Sequence, residues 1–342
     1  MSRFRPSRVT VAALGLAGAG ALTARHLRRL AADPEFARLR SPLRGRDLVV
    51  RSADGTELHA EVFGSDTGPT VVLVPGWTEW LSAFDYVTRY LVDRGFRVVA
   101  YDLRGQGASA QSPGNDYRME RYGEDLEAVL EASGAEASRT IVAGHSLGAM
   151  SIAAWALDHD VRVRVAGAAL INTGLDGLIS NTKLLPAVLP AVVHRPLATH
   201  SFLGNPLPLP PFSTPVSHGL VRLIAFGPDA SAAHVAFYER MLMSCPPQVR
   251  AAAGVAMADM DLLHATKRLT VPTLVVAGAD DRLTPPSHSQ RIANSLPDLT
   301  RLIVLPRTGH MSPLERPVEV SDALIELWER AAGPAPPLAA VS

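Results

Sequence analysis

The sequence predicts an α/β fold: a mostly parallel, eight-stranded sheet with helices on both faces and an inserted helical cap. Three observations predict it. Short apolar runs alternate with amphipathic helical stretches, the pattern of β-α crossovers onto a parallel sheet. The first two runs are joined by a tight turn and so start the sheet antiparallel. One long stretch, residues 173–264, breaks the alternation and carries no strand pattern.

The elements follow in order. Leu48–Arg51 and Leu58–Phe63 flank Ala53-Asp54-Gly55-Thr56, a hairpin turn signal. Thr70–Val74 is almost wholly apolar, as a strand covered on both faces must be. Ser82–Arg94 reads as a helix with Phe84, Val87, Tyr90 and Leu91 on one inner face, and Arg97–Tyr101 as the next strand. Met119–Ser133 reads as a helix with Leu126, Val129 and Leu130 inward and an acidic outer face. Thr140–Ala143, Val165–Ile171, Thr273–Ala277 and Leu302–Leu305 complete the strands, and Val318–Ala331 is a closing helix. The sheet core therefore takes residues 45–172 and 265–332. The segment between them, 173–264, is rich in proline (Pro186, Pro190, Pro196, Pro206, Pro208, Pro210, Pro211, Pro215) and reads as a helical lid. The tail, 333–342, opens with Gly333-Pro334-Ala335-Pro336-Pro337 and reads as disordered.

Composition excludes several functions. Of 342 residues, 47% are hydrophobic and 19% charged, enough apolar surface for a large core. A formal net charge of +0 provides no basic face for nucleic acid. The single cysteine, Cys245, precludes an intrachain disulfide and a cysteine-based metal site, and reads as a small buried residue. No cofactor is expected. The lid histidines His194, His200, His218 and His234 lack metal-ligand spacing with acidic partners, so no metal is expected. Residues 1–30 carry Arg3, Arg5 and Arg8, the apolar run Val9–Ala24, then Arg25, Arg28 and Arg29. The run has the length of a signal-peptide core, with Ala19-Gly20-Ala21 as a cleavage site, whereas the following arginines suit an anchor better. The expectation is a secreted or membrane-anchored protein, with residues 9–24 contacting the membrane; a cytoplasmic N-terminal helix is the alternative.

Chemistry at a parallel sheet sits beyond the carboxyl ends of its strands. After Thr140–Ala143 comes Gly144-His145-Ser146-Leu147-Gly148, followed by a helical stretch. Strand, G-x-S-x-G, helix is the pattern of a nucleophile elbow, in which a strained turn lifts the serine oxygen above the sheet. After Thr273–Ala277 come Asp280 and Asp281. Asp281 is taken as the carboxylate that orients a histidine, and Asp280 as a turn residue. After Leu302–Leu305 comes His310, a base able to take the serine proton and return it to a leaving group. Backbone N–H groups of Leu147, after the serine, and Trp77, in the loop after the third strand, are the expected oxyanion donors.

Other residues are weighed against plainer roles. Gly105 to Ala110 forms a formal G-x-G-x-x-A, but no helix opens there, so dinucleotide binding is rejected. Asp102 and Arg104 read as structural. His145 is expected to pack against the nucleophile rather than react. Met241, Met243, Met257 and Met260 read first as flexible core filling, and otherwise as an adaptable pocket wall.

These residues carry a likeness. PGW at Pro75–Trp77, DLRGQGAS at Asp102–Ser109, GHSLG at Gly144–Gly148, GADDRLTP at Gly278–Pro285 and GHMSPLERP at Gly309–Pro317 stand in order over Asp47 to Arg330. The chain resembles the α/β-hydrolase superfamily in its lid-bearing esterase/lipase-like branch. The resemblance implies a triad of Ser146, Asp281 and His310, with Trp77 and Leu147 at the oxyanion hole. Many relatives carry His-Gly where this chain has Pro75-Gly76, a departure bearing on loop geometry and acyl selectivity. Serine at position 146 separates it from dehalogenase- and epoxide-hydrolase-like members, which carry aspartate there. The implied activity is hydrolysis of a small lipophilic carboxylic ester. The alternative is cofactor-free haloperoxidase or perhydrolase chemistry, or C–C bond hydrolysis, with the same triad. Oligomeric state is not legible.

Overall fold

The computed structural model describes residues 8–178 and 203–333. Expectations that fall on residues 1–7, 179–202 and 334–342 lie outside the described residues. These include Arg3 and Arg5, the lid histidines His194 and His200, and the tail.

Eight strands form one sheet: β1 (Arg46–Arg51), β2 (Glu57–Phe63), β3 (Thr70–Val74), β4 (Arg97–Tyr101), β5 (Thr140–His145), β6 (Gly167–Ile171), β7 (Thr273–Gly278) and β8 (Leu299–Leu305). Their order is β1-β2-β4-β3-β5-β6-β7-β8. β2 pairs antiparallel with β1 and β4, and β3 to β8 run parallel. The hairpin turn is built as its sequence requires: Gly55 has φ +86°, and the Asp54 carboxylate accepts the Thr56 N–H at 3.0 Å.

The central strands are buried on both faces, and their side chains alternate between two cores. Val72, Val74, Val99, Tyr101, Val142, Leu170 and Val275 face α4 (Met119–Ser133) and α5 (Leu147–Asp158). Val71, Leu73, Val98, Ala100, Ile141, Ala143, Ile171 and Val276 face α3 (Asp85–Val92) and the closing helix Pro317–Ala332. Each such Val or Leu contributes about 1.5–3 kcal/mol on burial, so a register slip of one residue is strongly disfavoured.

Boundaries differ locally from the sequence expectation. The helix expected over Ser82–Arg94 opens as a tight 3₁₀ turn, Leu81–Phe84, before α3. Tyr90 does not share the inner face with Phe84, Val87 and Leu91. Its hydroxyl donates to Asp322 at 2.6 Å and the Arg94 guanidinium covers its ring, so Asp85 and Thr88 take the buried positions instead. Leu126, Val129 and Leu130 are buried as expected.

Between β6 and β7 the described residues include α6 (Pro215–Ala225), α7 (Ala232–Ser244), α8 (Pro247–Asp259) and a 3₁₀ helix, Leu263–Arg268. Thr214 caps α6 through a reciprocal capping box with Ser217, and Ser231 caps α7. Two N-terminal helices, α1 (Arg8–Ala31) and α2 (Pro34–Leu39), pack against this insertion, with Leu39 fully buried and His234 hydrogen-bonded to Glu35 at 3.1 Å. The apolar run Val9–Ala24 is part of α1. Among the described residues, no helix is long and apolar enough to cross a membrane.

Candidate active site

Ser146 sits between β5 and α5 with φ +51° and ψ −114°, a region that costs a non-glycine residue about 1–3 kcal/mol. The flanking glycines explain how this turn closes. A Cβ on Gly144 would come within 2.5 Å of Ala149 N, and one on Gly148 within 2.7 Å of Pro75 O. Neither position has room for a side chain, so strand, helix and the loop after β3 can approach backbone to backbone. The Ser146 N–H donates to Ile171 O at 2.9 Å, and Thr173 Oγ1 donates to Ser146 O at 3.0 Å.

Asp281 and His310 come together from the loops after β7 and β8. His310 Nδ1 lies 2.8 Å from Asp281 Oδ2, and both residues are buried. The other oxygen of Asp281 accepts the backbone N–H groups of Leu283 and Thr284, each at 2.9 Å. Oδ2 also receives Thr284 Oγ1 at 2.8 Å and Asn172 Nδ2 at 3.0 Å. Burial pushes this carboxyl up. The His310 charge, its hydrogen bond and the donors from Thr284 and Asn172 outweigh that and hold it below the usual carboxylate range. Asp280 is exposed, and its N–H donates to Thr308 O, so of the two neighbouring aspartates only Asp281 meets the histidine.

The loop after β3 carries Trp77. Its indole N–H donates to Arg250 O on α8, which fixes the ring under the inserted helices. Its backbone N–H has no acceptor among the described residues. Leu147 opens α5, and the first N–H groups of a helix have no intrahelical partner. Both groups are therefore suited to an anion beside Ser146.

Three residues that sequence reasoning passed over hold these parts together. Asn172, at φ +46° after β6, donates to both Asp281 and Gly309 O, and accepts from Ser312 Oγ. Its place at a strand end was the available signal. Thr284 belongs to the GADDRLTP stretch, and Glu79 stands three residues after Gly76. His145, expected to pack against the nucleophile, instead reaches across from β5: its Nε2 lies 2.8 Å from His310 O and its Nδ1 3.0 Å from a Glu79 oxygen.

The plainer assignments have physical content. Asp102 accepts the N–H groups of Leu81 and Ala108 and contacts His59 at 2.8 Å. Arg104, fully buried, makes two 2.7 Å bonds to Asp125 and one of 2.9 Å to Asp54. Gly107 is held at φ +56° with Asp102 against it, so the G-x-G-x-x-A stretch is a tight turn around a carboxylate. Cys245 is buried, which pushes its thiol up to about 12. Met241 and Met257 are core residues, whereas Met243 lines a cavity. His218 and His234 each pair with one glutamate, Glu239 and Glu35. Among the described residues, Asp47, His59 and Glu61 bring ligand-type atoms within 4.8 Å of one another, but Glu61 is already engaged by the Gly45 N–H and Arg44.

A sheet in this order, with a serine on a strained elbow after β5 and a His–Asp pair after the last two strands, defines an α/β hydrolase. The family model described as serine aminopeptidase, S33, matches residues 66–317, and the chain belongs to that hydrolase family. A non-heme haloperoxidase of Rhodococcus erythropolis is 31% identical over 267 residues, covering 76% of this chain and 92% of that protein. A bifunctional esterase/perhydrolase of Acinetobacter calcoaceticus is 28% identical, covering 77% of this chain and 93% of its own length. The solved structure of a thermophilic esterase from Thermogutta terrifontis has a TM-score of 0.63 at 25% identity, covering 84% of this chain and 98% of that one.

Proposed function

We propose that this hydrolase cleaves carboxylic esters through an acyl-enzyme on Ser146. The observation that carries the reading is the 2.8 Å contact between His310 Nδ1 and an ionised, fully hydrogen-bonded Asp281. It fixes the tautomer that leaves Nε2 free to take a proton. His310 deprotonates Ser146 as Oγ attacks the ester carbonyl, and Asp281 stabilises the imidazolium. The Trp77 and Leu147 N–H groups hold the oxyanion, an interaction whose loss costs about 2.7–4 kcal/mol of barrier per donor. The imidazolium then protonates the leaving alcohol. Water, deprotonated by the same histidine, attacks the acyl-enzyme and releases the acid and free Ser146.

A lipophilic acyl group fits the surroundings. A cavity of about 450 Å³ beside Trp77 is lined by Leu220, Val221, Ile224, Leu242, Met243 and Leu283. In the insertion, Phe212, Val216 and Leu223 are at least half exposed. These exposed apolar residues, with Arg25, Arg28 and Arg29 of α1, support contact with an anionic lipid surface, for which co-flotation with phosphatidylglycerol vesicles is the check.

The names of the relatives favour one second reading. Hydrogen peroxide replacing water in the deacylation step would yield a peroxyacid and the same free serine. A series of p-nitrophenyl esters from acetate to dodecanoate, run on wild type and Ser146→Ala, tests the main reading. Hydrolysis lost in the variant supports it. Wild type inert to every ester, but turning over acetate and peroxide, would replace it with the second.

A further inference from the structure

Next to the proposed nucleophile lies a second buried carboxyl–imidazole pair, Glu79 and His145, that the reaction as described does not use. Glu79 is 2% exposed and His145 0%. The Glu79 carboxylate accepts the Gly76 N–H at 2.6 Å, and its two oxygens lie 2.9 and 3.0 Å from His145 Nδ1. His145 Nε2 lies 2.8 Å from the His310 carbonyl oxygen. Both ring nitrogens thus face acceptors. A neutral imidazole has one N–H, so one of these contacts would set lone pair against lone pair; the imidazolium satisfies both. Burial opposes that charge. The Glu79 carboxylate, its hydrogen bond and the His310 carbonyl override burial and hold the His145 imidazole above its ordinary value.

We propose that Glu79 and His145 are positioning residues, a carboxylate–imidazolium pair that locks the turn carrying the Trp77 N–H to the loop carrying His310. The proposal rests on the serine-hydrolase reading above. On one side, Glu79 closes its own turn. Its N–H donates to Gly76 O at 3.2 Å, its carboxylate takes the Gly76 N–H, and Thr78 is held at φ +64°. This sets the direction of the Trp77 N–H. A Cβ on Gly76 would lie 2.9 Å from the Glu79 carboxyl carbon, so the contact needs glycine there. On the other side, His145 grips the backbone of His310, with the two rings 4.9 Å apart. His145 immediately precedes Ser146, so one side chain registers nucleophile, base and oxyanion turn together. Besides Glu79, the Asp281 charge acts on His145, and the titratable His310 ring faces it at 4.9 Å.

The pair is tested first without substrate. In ¹⁵N-histidine spectra of the wild-type protein, both His145 ring nitrogens are expected to stay protonated through neutral pH, the resonance being assigned by its loss in His145→Asn. In Glu79→Gln burial loses its main opponent, and the second proton is expected to be absent at neutral pH. A His145 ring with one bare nitrogen at neutral pH in wild type overturns the pair, whether or not any ester is cleaved. The positioning role is read from kinetics. Glu79→Gln and His145→Asn are each expected to lower kcat for p-nitrophenyl butyrate about 10–100-fold, with KM within threefold, as small misplacements of reacting groups do. Folded variants with wild-type kcat overturn it. Fluorophosphonate labelling of wild-type Ser146 keeps the two readings apart: no labelling sinks the hydrolase reading, while the spectra still decide the pair. Should either variant fail to fold, His145→Gln supplies the assignment and Glu79→Asp with His145→Gln the kinetics, read by the same outcomes.

Discussion

Asp281→Asn isolates what the histidine's partner does. The Oδ1 position of Asp281 faces two backbone N–H groups, those of Leu283 and Thr284, neither of which can turn away. The oxygen of the introduced amide must therefore take that position, which forces its NH₂ into the Oδ2 position. There it meets His310 Nδ1, which lies 2.8 Å away in the wild type, and the Asn172 amide at 3.0 Å. Nδ1 must become an acceptor, so the ring proton moves to Nε2. His310 then offers Ser146 an N–H in place of a lone pair and cannot act as base. The loss expected in kcat is about 10⁴-fold, the scale on which the wrong tautomer costs a serine triad. The Asn172 amide and the introduced amide, donor against donor, also cost about 1–3 kcal/mol of stability. The assay is kcat for p-nitrophenyl butyrate, beside a urea melt showing that the variant is folded. A folded variant within tenfold of wild type would refute both the tautomer argument and the role of Asp281.

Other outcomes follow from the same geometry. Gly148→Ala places a methyl 2.7 Å from Pro75 O and from the Val74 carbonyl carbon, and is expected to lower stability in urea by about 1–3 kcal/mol or more, since only backbone can yield. Glu315 receives the N–H groups of Gly227 and Gly309, and its burial nonetheless pushes it up to about 7 from 4.5. A carboxyl raised on folding favours the protonated fold, so its contribution is present below pH 4.5 and is lost as pH rises towards 7, by about 3 kcal/mol over that window. Glu315→Gln should flatten that part of the stability–pH curve in urea titrations; parallel curves would refute the shift. Ile224→Trp narrows the apolar cavity, and kcat/KM should fall for decanoate but hold for acetate. Equal loss on both esters would place the acyl chain elsewhere.

Much of this was legible along the chain because the signals are local. An apolar run such as Thr70–Val74 declares a doubly covered strand by itself, and Gly144 and Gly148 declare a turn where backbones meet. The triad candidates could be named because parallel strands deliver their loops to one edge, so position in the chain stands in for position in space. Tyr90 shows where this ends. Its place on the inner stripe of a helical wheel was outweighed by one hydrogen bond to Asp322, a partner 232 residues away. Glu79 shows the same limit, since nothing near it in sequence marks it as the partner of His145.

The sequence by itself determined the sheet, its handing of Ser146, Asp281 and His310 to one edge, and the family to which those motifs belong. Tertiary structure decided that Asn172 and Thr284 hold Asp281, that His145 bridges Glu79 and His310, and that Asp281 keeps its charge under full burial. The reason is physical. Strand and elbow formation depend on neighbours a few residues apart, whereas tautomer and charge depend on which donors and acceptors folding brings within three ångströms.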